Sequence, residues 1–390
     1  MRVSGAVLAL ELVLTTAMKT VETFESLRSA LREKEEVVVL TSDATVRTTL
    51  FVNNHNVSLS SSGGNWLDGL DGAQLLVITG ESDVLLEDLG FRRGFSSGSG
   101  GAVSILGGAT VEIVRCTITS SSADVGGAVY VSTSTLTLVE SAISSNAARF
   151  GGAVYSSEST VEVADSTLSS NDGGALVATQ SSHVDCKRSV FEENRKAQKG
   201  GAAIHVAKTS VVTASECVFR SNAAGGAPFD QDRNTLAVGG HVALDASTAA
   251  LTKSIFEAGT ADKGGAVAVT AGSSLTTAGC TFTKNAAQLG GAIAVEDHGD
   301  WTDTGSAIVD NSADMEGGGA YVTAESTFSS KHTKFSNNFP DQSFAFLMPP
   351  GAAPTDFRRG RRILSLLAAE DDQQQQQQQQ RLSSSSHQSR

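Results

Sequence analysis

Residues 126–152 read GGAVYVSTSTLTLVESAISSNAARFGG, and most of the chain repeats this unit with variation. The pair Gly126-Gly127 opens an alternating run, and a second run follows around Leu136 and Leu138. Then come a small residue, Ser141, an apolar one two positions later, Ile143, and Asn146 three after that. Gly151-Gly152 starts the next cycle. Self-similarity at a period of roughly 20–50 residues is the signature of a repeat architecture.

Taking the apolar residue before the Asn as an anchor gives Phe91, Ile118, Ile143, Leu168, Phe191, Phe219, Phe256, Phe282, Ile308 and Phe335. The intervals are 27, 25, 25, 23, 28, 37, 26, 26 and 27 residues. Two positions before the anchors stand Leu89 and then small or short residues, among them Cys116, Ser141, Ser166, Cys217 and Cys280. That spacing places both on one face of a strand. Each unit is too short for two helices, lacks their 3.6 periodicity and is rich in Val, Thr, Ser and Ile.

Proline gives an independent check, because it cannot occupy a central strand. Four of the five prolines lie after residue 339, and the fifth, Pro228, falls in the one irregular interval. The units therefore read as coils of β-strand, each pairing in parallel with the coil above. Right-handed crossover is strongly favoured for parallel strands. The expected fold is all-β, a right-handed parallel β-helix over residues 90–339.

The flanks differ. Arg2 followed by Val7 to Leu14 has the charged start and apolar middle of a secretory signal over 1–20, with Thr15-Thr16-Ala17 as cleavage site. Glu11 interrupts that middle, so an untargeted leading segment is the competing reading. Residues 21–89 read as an N-terminal cap and irregular first coils. Phe24, Leu27, Ala30 and Leu31 at helical spacing predict a short amphipathic helix covering the end of the stack. Strands are expected at Val37–Leu40, Leu50–Val52, Val57–Leu59, Leu75–Ile78 and Val84–Leu86. Phe344, Phe346, Leu347 and Met348 suit a C-terminal cap over 340–350. Residues 351–390, with an Arg cluster, eight glutamines at 373–380 and a Ser-rich end, cannot bury a core and read as a disordered tail.

Composition excludes some functions. A formal charge of −13 argues against nucleic acid as a partner. No apolar run reaches the roughly 18 residues a membrane-spanning helix needs. Cys217 and Cys280, two coils apart, are expected ~10 Å from each other given a coil rise of about 4.8 Å. A disulfide needs Cα atoms within about 7 Å, and no CxxC pair exists for zinc. Cys116, Cys186, Cys217 and Cys280 are therefore expected as free, buried thiols. Oligomeric state is not legible.

The position three before each anchor reads Asp88, Arg115, Glu140, Asp165, Arg188, Glu216 and Lys253, then Gly279, Gly305 and His332. Five of the six neighbouring pairs among the first seven are opposite in sign, as an outward ion-pair ladder requires. Glu140 and Asp165 are the exception. Their like charges in adjacent coils are compensated either by Arg115 and Arg188 or by a calcium ion, which prefers carboxylate oxygens. No other cofactor is implied. Tyr130 and Tyr155 share a register position in the same two coils. Facing inward they are an internal stack, the reading to which more weight is given. Facing outward they form an aromatic platform for a sugar ring.

The 37-residue interval carries an insertion at 227–238, APFDQDRNTLAV. It must loop out of the stack, and Asp230, Asp232 and Arg233 make it a candidate binding loop. Asp297, Asp300 and Asp303 around His298 and Trp301 read as an acidic cluster on a turn. The recurring Asn (146, 171, 194, 222, 285, 311, 338) suits left-handed turns and amide bonding between coils.

The recurring GGA with FxxN resembles the repeats of the polymorphic outer membrane proteins. Phe191–Asn194, Phe219–Asn222, Phe282–Asn285 and Phe335–Asn338 match FxxN, and Gly126-Gly127-Ala128, Gly151-Gly152-Ala153, Gly264-Gly265-Ala266 and Gly290-Gly291-Ala292 carry the other half. The resemblance implies a pectin-lyase-like β-helix displayed at or beyond the cell surface and used for adhesion. Gly240-His241 and Phe256–Gly259 depart from both motifs. The expected function is non-enzymatic binding of glycan or surface protein. The alternative is a polysaccharide lyase or hydrolase, for which no acid–base set emerges.

Overall fold

The computed structural model describes residues 18–197, 200–225, 236–341 and 343–345. The stretch up to Ala17, the insertion residues Asp230, Asp232 and Arg233, and the residues from Phe346 onward lie outside the described ones. The chain winds into a right-handed parallel β-helix. Three long parallel sheets, of 13, 12 and 12 strands, line its sides.

One coil shows how. Val129–Ser132 joins one 12-stranded sheet, Thr135–Val139 the 13-stranded sheet, and Ala142–Ser144 the other 12-stranded sheet. We call these the third, first and second sheets. All ten anchors fall in one unbroken column of the second sheet, from Phe91 opposite Ile118 to Ile308 opposite Phe335. The 37-residue interval leaves this register intact, since Phe219 still faces Phe256. Phe191, Phe219, Phe256 and Phe282 stack with centroids 5.0, 4.6 and 4.7 Å apart.

The corners are not where strand alternation puts them. All ten residues three before the anchors have positive φ, from 47° at Arg188 to 71° at Gly305. The charged column therefore lies on left-handed bends between the first and second sheets, not on a strand face. A second left-handed column sits two residues after each anchor, as at Ser120, Ser145 and Ser170. A third follows the third sheet, as at Thr133 and Glu158. L-residues pay roughly 1–2 kcal/mol for this conformation, so each bend needs compensation.

The residue after each bend supplies it. Its buried N–H would otherwise lack a partner, and an inward side chain from the next coil accepts it. At the first corner Cys116 N–H donates to Ser141 Oγ at 3.0 Å and Ser141 N–H to Ser166 Oγ at 3.0 Å. At the second, Asn146 N–H donates to Asn171 Oδ1 (3.1 Å) and Asn171 N–H to Asn194 Oδ1 (3.0 Å). At the third, Ser134 and Ser159 N–H donate to Ser159 and Ser182 Oγ. The Asn residues follow the left-handed residue instead of adopting that conformation themselves; their bonding between coils is as expected.

At the N-terminal end the helix Phe24–Arg32 starts at a capping box of Thr23 and Ser26 and buries Phe24, Leu27, Ala30 and Leu31. The five expected early strands form within a residue or two of their expected bounds. Met18–Val21 adds a strand beside Val37–Leu40. At the other end Ser343–Ala345 pairs with Ala320–Val322, extending the third sheet past residue 339 into the segment read as a cap. All four cysteines are free and buried.

Candidate functional site

Val129 and Val131 are buried in the core, so the alternating Tyr130 points the other way, to the outer face of the third sheet. Tyr155, opposite it in the next coil, does the same. The internal stack is thereby overturned: the rings lie outside, half-buried, 5.7 Å apart between centroids and 11° from parallel. Burial, and after it the neighbouring Tyr130, raises the pKa of the Tyr155 hydroxyl. Ser104 and Val177 flank the pair in register.

Their outward stance has a local cause. Gly126 and Gly151 have φ of 63° and 65°, and a Cβ on either would lie 2.5 and 2.4 Å from the carbonyls of Val129 and Val154. The chain thus doubles back tightly before each Tyr strand. Arg149 lies over the ring of Phe150, 5.2 Å from its centroid, in the loop leading to Gly151.

Of the candidate calcium pair, Asp165 is held by Arg188 through two bonds of 2.7 and 2.6 Å. That hydrogen bonding pulls the Asp165 pKa below its ordinary value. Arg115 turns to Asp88 and Glu87, on the side away from Glu140. Calcium takes about 6–8 oxygen ligands; Glu140 and Asp165 bring two carboxylates, one of them engaged. Among the described residues no group of three or more His, Cys, Asp or Glu converges.

The acidic cluster at Asp297–Asp303 is dispersed. Asp300–Thr304 is a strand, not a turn, and only Asp297 and His298 sit on the bend. Trp301 and Asp303 point into the core. There Asp303 accepts bonds from the Thr277 and Thr333 hydroxyls and from the Ser306 N–H at 3.2 Å.

Two charged sites escaped the sequence. Asp68, buried in the second sheet, is clamped by Arg92 at 2.8 Å and by Arg93. Burial opposes its ionisation, yet the arginine and backbone bonds outweigh it and lower its pKa to about 2. Arg92 also lies 5.1 Å over the Trp66 ring. Glu112, on the outer face of the first sheet, has its pKa raised by burial and then by Asp83 and Glu87. Both belong to coils around the point where the repeat first becomes regular.

The family model described as "Right handed beta helix region" matches residues 75–242. No curated protein matches the chain. Among solved structures, a pectate lyase variant from Xanthomonas campestris is 12% identical with a TM-score of 0.40, covering 60% of this chain and 80% of its own. The surface adhesin PfbA of Streptococcus pneumoniae is 11% identical (TM-score 0.46; 84% and 92% covered). The periplasmic alginate epimerase AlgG is 10% identical (TM-score 0.45; 81% and 83% covered). Over residues 75–242 the chain is thus similar in sequence to right-handed β-helix regions.

Proposed function

We propose that this chain is a non-enzymatic β-helix, secreted or held at a cell surface, that binds glycan along its flank. The observation that carries this reading is the outward pair Tyr130 and Tyr155. Two near-parallel, stacked rings on a rigid sheet offer a compact apolar patch with hydroxyls at its edge, suited to a sugar ring. The GGA and FxxN resemblance supports the surface setting. Most strongly placed carboxylates are tied to cations: Asp68 to Arg92 and Arg93, Asp165 to Arg188, Glu192 to Arg220 and Glu296 to Lys263. Carboxylates so neutralised serve packing better than proton transfer.

The second reading, a polysaccharide lyase or hydrolase, rests on Glu112, whose raised pKa is the property an acid–base residue needs. The test incubates the purified chain with acidic and neutral polysaccharides, with and without calcium. Retention on immobilised glycan without turnover, lost in Tyr155→Ala, is the expected result. New reducing ends, or ultraviolet-absorbing unsaturated products, that vanish in Glu112→Gln would replace binding with catalysis.

A further inference from the structure

The corner after the Tyr155 strand is built differently from its neighbour. After Ser132 and after Ser157 the chain turns on a single left-handed residue, Thr133 and Glu158. The next two coils turn on two each, Gln180-Ser181 and Lys208-Thr209. One added residue per coil lifts these corners above Glu158 and leaves an open cleft of about 630 Å³ against the step. Glu158, Gln180, Ser181, Lys208 and Thr209 line it.

The lining is ordered and polar. Ser157 Oγ donates to the Gln180 amide oxygen, and the Ser181 and Thr209 hydroxyls lie 3.0 Å apart. Glu158 and Lys208 have no ion-pair partner among the described residues, unlike Asp88 with Arg115 and Asp165 with Arg188 on the neighbouring corner. Their charges cancel, so the cleft is locally neutral while the chain as a whole carries −13. Such a net charge repels a dense polyanion.

The cleft lies on the same flank as the Tyr pair, separated from it by the buried Val177, Thr179, His205 and Ala207. Tyr155 faces Val177, which faces His205, and Lys208 follows His205 by three residues. Strand rise and inter-strand spacing place Lys208 ~10 Å further along the strand and ~10 Å across from Tyr155, or about 14 Å away. That span suits a short saccharide chain running from the rings past Ser157 and Gln180 to the ammonium group.

We infer that the Glu158–Lys208 cleft is a polar subsite for a saccharide that carries an isolated acidic sugar. Its carboxylate meets Lys208, and the hydroxyls of the adjoining neutral sugar meet Glu158, Ser181 and Thr209. The inference rests on the glycan-binding reading of the Tyr pair. Titration calorimetry would compare three probes: a neutral xylohexaose, the same chain bearing one glucuronate branch, and hexagalacturonate. The branched probe should bind at least tenfold tighter than the neutral one in wild type. Lys208→Ala should erase that preference and leave the neutral affinity unchanged, and added salt should weaken it. Equal affinity for branched and neutral probes, a preference that survives Lys208→Ala, or tightest binding of hexagalacturonate would overturn the subsite and leave the platform standing. Failure of all three probes to bind, or neutral binding untouched by Tyr155→Ala, would overturn the platform and the subsite with it.

Discussion

His241 fills the space that Gly259 leaves open. Gly259 stands where neighbouring coils have Asn, and a Cβ there would lie 2.3 Å from the Gly265 carbonyl oxygen and 2.5 Å from His241 Nε2. The imidazole bridges the gap, with Asn222 Nδ2 at 2.9 Å from its Nδ1 and Asn285 Oδ1 at 3.2 Å from its Nε2. Since Asn222 donates and Asn285 accepts, His241 is the neutral Nε2–H tautomer. Two departures from the repeat are therefore one compensated exchange.

Coupling between the two positions should be measurable. His241→Ala should cost about 2–4 kcal/mol through an empty space and lost bonds in the core. Gly259→Asn alone should destabilise by steric clash. The double variant should recover part of both losses, giving an interaction energy above about 1 kcal/mol in a urea double-mutant cycle. Additive losses would show that the ring is merely accommodated.

Acid should test the same residue. Burial lowers the His241 pKa to about 3 against an ordinary 6.5. A depressed folded-state value means its contribution is complete above pH ~6.5 and is lost as pH falls towards 3. Asp68, lowered to about 2 from 3.8, adds a further loss below pH ~4. A wild-type melting temperature that held flat from pH 7 to 4 would contradict the buried neutral imidazole.

Asn171 should outweigh any corner serine. Its Oδ1 takes both the N–H and the side-chain amide of Asn146, and its Nδ2 reaches Ile143 O and Asn194 Oδ1. Asn171→Ala should lower stability by about 2–4 kcal/mol, and exposed Ser145→Ala by less than about 0.5. Urea midpoints compare them directly.

Glu112→Gln should stabilise slightly at pH 7. Its raised folded-state pKa means that stability is present when the group is protonated and declines as pH rises through that value. The gain should be under about 1 kcal/mol because the carboxyl is only partly buried and water still screens it. The difference between variant and wild type should disappear near pH 4, as read by calorimetry.

The thiols should be silent until the coils open. Burial pushes Cys116 up to about 12 and Cys217 to about 11, and drives Cys186 well above the ordinary value. A disulfide exchange reagent should label none of the four in the native chain and all four in guanidinium. Fast labelling of Cys116 under native conditions would contradict the ladder geometry.

The coil stack was legible because one apolar column sets its register, and every anchor from Phe91 to Phe335 holds it. The corners were not. Strand alternation gives no sign of a left-handed bend, so Arg115 and Glu140 read as strand residues. The face of Tyr130 was ambiguous because Ala128, Val129 and Val131 are all buried. Asp68 and Arg92 meet only through the pairing of Trp66 with Gly90, in coils where no motif marks the register. His241 and Gly259 lie 18 residues apart, and each alone looks like a lapse in the repeat.

The widened corners at Gln180-Ser181 and Lys208-Thr209 show how freely this surface can be rewritten. Across them, Thr160 still faces His183 and His183 still faces Val211. An added residue raises the rim without moving a strand to a new neighbour. Corners are therefore natural grafting points, where a foreign loop would change what the flank presents while the core threads as before.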